Sequence, residues 1–157
     1  MLRQYNRNSG FSLIEVATVA AIIAIIATIA VPSYLGQMNK TRRKDAMSAL
    51  MGLAQAMERH YTEKNTYLSA ANGDPTSNVN GVPPVSNVFS SEAPIDGSDK
   101  YYDLRITAAT SAAYSLRAIP KNIQADDGIL ELNSLGVKRW DKNHDGDTGD
   151  TGEDNWN

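Results

Sequence analysis

The long apolar run near the N-terminus constrains this chain more than any other feature. Between Phe11 and Val31 lie 21 residues with a single charged side chain, that of Glu15. As an α-helix this run would be about 31 Å long, which matches the hydrocarbon thickness of a bilayer. The stretch from Ala20 to Val31 has no polar face, so it requires lipid or an apolar protein partner on every side.

Two simple interpretations of this run leave something unexplained. A cleaved secretory signal has a shorter apolar core and a small-residue cleavage site after it, and no such site follows Val31. A plain membrane anchor fits the length but gives no reason for Glu15, because an unpaired carboxylate inside a bilayer is costly. Glu15 would be accommodated without a special role if it lay near the helix start and reached the lipid head groups.

The sequence around Glu15 resembles a known processing site. Residues 10–16 read Gly-Phe-Ser-Leu-Ile-Glu-Val and follow a basic segment that contains Arg3 and Arg7. This pattern resembles the processing site of type IV pilins and the related pseudopilins. The resemblance implies that residues 1–10 are a leader peptide and that a prepilin peptidase of the inner membrane cleaves after Gly10. It also implies that Phe11 is then N-methylated and that Glu15 pairs with the N-terminal amine of a neighbouring subunit.

The charges on the two sides of the apolar run favour the opposite orientation. Four basic residues lie between positions 40 and 44 and outnumber Arg3 and Arg7. The positive-inside rule alone would place the C-terminal part in the cytoplasm. The pilin resemblance implies that the leader is cytoplasmic and the C-terminal part is outside. The basic cluster at 40–44 would then bind lipid head groups or solvate the helix.

Beyond the apolar run, the pattern predicts that the helix continues. We expect residues 11–41 to form a transmembrane and assembly helix, with a bend near Pro32 and Gly36, and residues 42–157 to form a globular domain. From residue 42 to 61, apolar side chains recur at spacings of three and four, which predicts a stripe that packs on the rest of the chain. The stripe consists of Ala46, Ala49, Leu50, Leu53, Met57, His60 and Tyr61.

The remaining sequence predicts a loop and then a sheet. Residues 69–98 include 19 Gly, Pro, Ser, Asn or Asp in 30 positions, which indicates a long connector or, on the outside of a filament, an adhesive surface. Three alternating stretches then predict antiparallel strands with one buried face. We therefore predict an α+β, pilin-like fold in which a long bent N-terminal helix packs on a small antiparallel sheet. The inward residues are Tyr102, Leu104, Ile106, Tyr114, Leu116, Ala118, Leu130 and Leu132.

Two further segments resemble the minor-pilin branch of the family. The first is residues 43–67, an Ala-rich helical stretch that ends in an acidic, basic and aromatic cluster. The second is residues 124–136, which contain Asp126, Asp127 and Gly128. Many minor pilins carry a disulfide near this glycine, whereas this chain has no cysteine.

The acidic C-terminal segment resembles the start of a calcium-binding loop. Oxygen-bearing side chains recur at alternate positions and are followed by Gly146, but the twelfth position of the loop is Gly152 instead of an acid. This segment also resembles the calcium-binding end of the major pseudopilin of type II secretion, and bound Ca²⁺ would replace the missing disulfide. The alternative is a solvated acidic turn. The candidate ligands are Asp141, Asn143, Asp145, Asp147, Asp150 and Glu153.

Taken together, the residues predict a structural protein. The resemblance implies a subunit of a type IV pilus, a minor pilin for adhesion, twitching motility or DNA uptake; the alternative is a pseudopilin of type II secretion in the periplasm. Its partners would be other pilin subunits, the prepilin peptidase and N-methyltransferase, and the inner membrane before assembly into a pilus on the cell surface. We recognise no catalytic nucleophile–base pair, metal–histidine cluster or phosphate loop, so we do not expect an enzyme.

Charge argues against general nucleic-acid binding. Without the leader the chain has 13 Lys and Arg against 18 Asp and Glu, a net charge of −5. A local basic patch for DNA stays open as an alternative.

Overall fold

One helix, α1, runs from Leu13 to Lys64 in the computed structural model, which describes residues 10–156. The helix is continuous through Pro32, although proline has no amide hydrogen to donate to the helical ladder. The chain divides into two compact units, of which the first ends at Met38 and the second begins at Asn39. Apart from Gly10, the predicted leader lies outside the described residues.

In the first unit, α1 exposes its apolar side chains. Leu13, Ile25 and Ile29 are 85%, 67% and 73% exposed. The most apolar 18-residue window of the helix has no buried share, and its length and composition suffice to cross a membrane. This surface lacks a partner among residues 10–156, as expected for a segment that packs in lipid or against other chains.

In the second unit, the predicted stripe of α1 forms half of the hydrophobic core. Leu50, Leu53 and Met57 are fully buried, and Ala46, Ala49 and Ala56 lie beside them. The alanines keep the stripe flat, so that the helix backbone can approach the sheet closely. Towards the end of the helix, Tyr61 is half-buried and stacks on Tyr67, with ring centroids 4.7 Å apart.

The other half of the core is a five-stranded antiparallel sheet. Its strands pair in sequence order, so each strand is hydrogen-bonded to the next one along the chain. Leu104 lies opposite Ala118, which lies opposite Leu130, and this row faces α1. The three predicted strands and their buried faces are confirmed. The strands are β1 (Glu92–Ala93), β2 (Tyr102–Ala109), β3 (Tyr114–Pro120), β4 (Leu130–Asn133) and β5 (Lys138–Trp140).

The predicted loop at residues 69–98 is packed along the edge of β2. Val82 exchanges backbone hydrogen bonds with Ile106, and the amide of Leu104 donates to the carbonyl oxygen of Ser91. Gly81 makes this approach possible, because its φ is +71° and a Cβ there would lie 2.3 Å from the carbonyl oxygen of Ile106. The segment therefore protects the edge of the sheet from pairing with another strand.

A buried carboxylate links α1 to the sheet. Asp127 receives two hydrogen bonds from the guanidinium of Arg43 and one from the hydroxyl of Tyr102. Burial alone would lower the pKa of Arg43, but the bonds and charge of Asp127 outweigh burial and raise it. Burial and the hydrogen bond to Asp127 together raise the pKa of the Tyr102 hydroxyl. Arg43 is therefore charged, and Tyr102 protonated, at neutral pH.

The basic cluster at residues 40–44 is divided between two environments. Lys40 and Lys44 are exposed. Arg42 and Arg43 are half-buried, and their guanidinium carbons lie 4.4 Å and 3.7 Å from the ring centroids of Tyr101 and Trp140. The expectation that the whole cluster faces lipid or solvent is therefore wrong for the two arginines, which pack on aromatic faces.

Replacement of Asp127 by Asn tests the importance of this buried pair. The variant leaves the Arg43 charge nearly buried and uncompensated, so the free energy of unfolding should fall by about 3 kcal/mol. The control is Asp103→Asn, because the ion pairs of Asp103 with Arg105 and Lys121 are more exposed and should contribute only about 0–1 kcal/mol. Urea unfolding of the unit that begins at Asn39, followed by tryptophan fluorescence, measures the free energy of unfolding of both variants. Equal losses would contradict the importance of the buried pair.

Candidate functional site

The predicted processing residues lie at the start of α1. Gly10, Phe11 and Ser12 precede the helix in non-helical conformation, and Phe11 is 89% exposed. Exposed backbone outside regular secondary structure is the preferred site of proteolytic cleavage. The structure thus places the Gly10–Phe11 bond next to the first turn of the helix. The roles of Gly10, Phe11 and Glu15 in processing and assembly stay predictions.

Glu15 is held by the backbone of its own chain. Its Oε2 accepts a hydrogen bond of 2.8 Å from the backbone N–H of Ser12. Glu15 is one of the residues that line a shallow groove of about 380 Å³. All other residues that line this groove are apolar, and they are Phe11, Val16, Val19, Ala20 and Ile23.

The six candidate calcium ligands lie in one C-terminal loop, and two of them are buried. Asp141 and Glu153 are each only 2% exposed. The carboxylate of Asp141 accepts hydrogen bonds from the backbone N–H groups of His144 (2.6 Å) and Gly146 (3.1 Å). The carboxylate of Glu153 accepts from the backbone of Lys142 (2.9 Å) and Asp150 (3.3 Å). Each of these carboxylates therefore stabilises a turn by satisfying two backbone donors.

Two of the four exposed candidates, Asp145 and Asp150, accept hydrogen bonds from the side-chain amide of a third, Asn143. The Nδ2 of Asn143 donates to Asp145 at 3.0 Å and to Asp150 at 2.9 Å. Asp147 lies further along the loop and accepts from the amides of Thr148 and Gly149. Within residues 10–156, no three Asp, Glu or His side chains are grouped so that they could hold a metal ion. The side chains of this loop nevertheless offer hard oxygen ligands of the kind that Ca²⁺ prefers. The calcium site therefore stays a prediction.

Two residues outside the predicted set attach this loop to the sheet. The indole Nε1 of Trp156 donates to the carbonyl oxygens of Glu131 (3.2 Å) and Arg139 (2.9 Å). The hydroxyl of Thr148 donates to the carboxylate of Glu131, which also receives Arg117 of β3 at 3.0 Å. These contacts join the end of the chain to β4 and β5 without a disulfide. Sequence reasoning missed them, because a terminal tryptophan and an isolated threonine carry no pattern.

The buried carboxylate of Glu153 provides a test of this attachment. In Glu153→Gln, one backbone donor loses its acceptor inside the loop, so we expect a loss of about 1–3 kcal/mol in the free energy of unfolding. The exposed neighbour supplies the control, Asp154→Asn, for which we expect a loss of about 0–0.5 kcal/mol. Urea unfolding in the presence of a calcium chelator measures the attachment alone. Indistinguishable midpoints for the two variants would count against it.

Calcium binding can be measured directly on the purified chain. If Ca²⁺ displaces the Asn143 amide from between Asp145 and Asp150, titration calorimetry should give heat and the melting temperature should rise. Asp145→Asn with Asp150→Asn should abolish both effects, whereas Asp154→Asn should keep them. Neither heat nor a shift in melting temperature with the wild-type chain would end the calcium hypothesis.

Comparisons with known proteins give matches to family models and to a solved structure. The N-terminal segment, residues 5–31, matches the model of the prokaryotic N-terminal methylation motif. The crystal structure of the non-core minor pilin PilV of Neisseria meningitidis matches with a TM-score of 0.49 and 20% identity, over 73% of this chain and 98% of that one. A search of curated proteins found no match.

A second family model covers most of the remaining chain. Residues 32–128 match the family described as type IV minor pilin ComP, DNA uptake sequence receptor. The match includes the buried half of α1, the loop at 69–98 and strands β1 to β3. It supports a pilus subunit over the pseudopilin alternative. Because the match covers more than half of the 157 residues, this chain belongs to the ComP family of type IV minor pilins.

Proposed function

We propose that this minor pilin is a structural, non-catalytic subunit that is trimmed after Gly10 and N-methylated on Phe11. Residues 11–31 then anchor it in the inner membrane before they pack into a pilus on the cell surface. The observation that carries the proposal is the exposed apolar half of α1, which has one charged side chain, Glu15. The match of residues 5–31 to the N-terminal methylation motif supports the processing step.

The exposed apolar surface makes transfer between membrane and filament reversible. Lipid tails and the packed helices of a filament are similarly apolar, so moving about 20 residues from one to the other changes the free energy little. Such a surface fixes neither the position nor the direction of a subunit along the filament. A carboxylate in this surface is satisfied only where a donor meets it, so Glu15 selects one register for each added subunit.

Replacement of Glu15 by Ala separates anchoring from assembly. Membrane insertion should be unchanged, because the segment becomes more apolar, while incorporation into filaments should fall roughly tenfold, the factor for about 1.4 kcal/mol per contact. The control is Thr18→Ala, which removes an exposed hydroxyl bonded only to the helix carbonyl of Ile14. Immunoblots of membranes and of sheared filaments measure the two steps. Normal incorporation of the Glu15→Ala chain would refute the role of Glu15.

Contact with DNA during its uptake is a second candidate function. It is favoured by the family model, whose description names a DNA uptake sequence receptor. Residues 32–128 hold ten Lys and Arg and ten Asp and Glu, so DNA contact needs a local group of free cations. On the outer face of the sheet, Arg105, Arg117 and Lys121 are engaged in ion pairs with acids.

Two lysines on α1 are better placed for DNA contact. Lys40 and Lys44 are exposed, lie one helical turn apart and form no ion pair with any residue that the structure describes. Their ammonium groups are therefore free to neutralise phosphates. We assign DNA contact to this pair.

A double substitution of Lys40 and Lys44 by Gln tests the DNA proposal. The salt dependence of duplex binding, plotted as log K against log salt, should lose about 1.8 in slope, since each phosphate contact contributes about 0.9. Lys64→Gln, at the far end of α1, is the control and should leave the slope unchanged. Fluorescence anisotropy with the detergent-solubilised chain gives the slopes. Absence of wild-type binding at low salt would exclude DNA contact by this subunit.

A further inference from the structure

The first turn of α1 contains a hydrogen bond that the pilin resemblance did not predict. Ser12 directly precedes the first helical residue, Leu13, and the N–H groups of Glu15 and Val16 donate to its carbonyl oxygen at 3.0 Å and 3.2 Å. The side chain of Glu15 turns back and accepts from the Ser12 N–H at 2.8 Å. A serine followed three residues later by such a glutamate is half of a capping box.

We propose that the Ser12 N–H is a positioning group for the carboxylate of Glu15. It holds Oε2 against the start of the helix and leaves Oε1 without a hydrogen bond to any other residue in the range 10–156. Oε1 is then available to a second donor. This second part rests on the proposed function, in which the donor is the N-terminal amine of a neighbouring subunit.

The environment of the helix start makes this bond important. The first N–H groups of a helix have no hydrogen-bond acceptor within the helix, and inside hydrocarbon no water molecule can serve as the acceptor. Except for Glu15, the groove at this position is lined by apolar side chains, such as those of Phe11 and Val16. The Ser12–Glu15 hydrogen bond therefore satisfies the backbone donor and one of the two carboxylate oxygens before a neighbouring subunit binds.

The bond also survives trimming. Cleavage after Gly10 breaks the bond between Gly10 and Phe11, whereas the donor belongs to the peptide between Phe11 and Ser12. The same hydrogen bond can therefore form in the precursor and in the mature chain. Assembly then requires only that Oε1 gain a partner, since the side chain is already ordered.

Because the donor is a backbone group, two substitutions at one position separate it from the side chain. Ser12→Ala removes the hydroxyl and keeps the N–H. Ser12→Pro removes the N–H, and we expect proline to be tolerated because Ser12 and the preceding Phe11 are both outside the helix.

Amide hydrogen exchange of the full chain in detergent micelles tests the bond itself. The Ser12 amide should exchange about tenfold more slowly in the wild type and in Glu15→Gln, which keeps an acceptor oxygen, than in Glu15→Ala. Equal exchange rates in all three chains would overturn the proposal.

Incorporation into filaments tests the positioning role. Ser12→Ala should assemble like the wild type, and Ser12→Pro should assemble several-fold less among chains that mass spectrometry shows to be trimmed. Equal incorporation of the two Ser12 variants would overturn the positioning role. In the case that Ser12→Pro prevents trimming, the amide hydrogen exchange experiment alone decides the proposal. If Glu15→Ala assembles normally while the wild-type Ser12 amide is protected, the proposed function fails and the hydrogen bond stands.

Discussion

The buried carboxylate of Asp127 is the contact on which the globular unit depends. It accepts hydrogen bonds from Arg43 of α1 and Tyr102 of β2, and the backbone oxygen of Asp127 accepts from the indole of Trp140 in β5. A charge removed from water must be compensated on all sides, so these three elements have one favourable arrangement around it. Gly128 completes the contact, because a Cβ at this position would lie 1.8 Å from the carbonyl oxygen of Asp141.

The two halves of α1 are both helical, but they differ in how their apolar residues are distributed around the helix. In the second half, alanines and large aliphatic residues share one stripe, and the helix becomes part of a folded core. In the first half, apolar residues surround the helix, and no stripe selects a packing partner. The protein can therefore fold its second unit completely while its first unit stays available to lipid or to other subunits. Glu15 adds to this surface the one charged group that the span between residues 11 and 31 contains.

The parts of the fold that could be predicted are those with a repeating pattern. The stripe of α1 follows the helical period, and strands β2, β3 and β4 follow the period of two, so their buried residues were predicted correctly up to Met57. At the end of the stripe the prediction is only partly right, since His60 and Tyr61 are half-buried. Strands β1 and β5 were missed because β1 has two residues and β5 reads Lys-Arg-Trp, so neither shows an alternation. The environment of Arg42 and Arg43 was missed for a different reason: the sequence gives the charge of a side chain but not the aromatic ring that it meets, which here lies more than 50 residues later in the chain. The same limit applies to the Ser12–Glu15 bond, since the resemblance directed attention to a partner in another chain.

The C-terminal loop shows how a chain without cysteine can close its sheet. A disulfide stabilises a fold by restricting the unfolded chain, and its contribution involves no protonation of a side chain. Here the closure depends on acceptors, the carboxylates of Asp141 and Glu153 and the carbonyl oxygens that receive Trp156, which act only in the folded state. Because the two buried carboxylates already have backbone donors, a cation bound at Asp145 and Asp150 would strengthen an existing loop and would not create one. Hydrogen bonds thus attach the C-terminal loop to the sheet by themselves. Any effect of calcium on stability would add to this attachment.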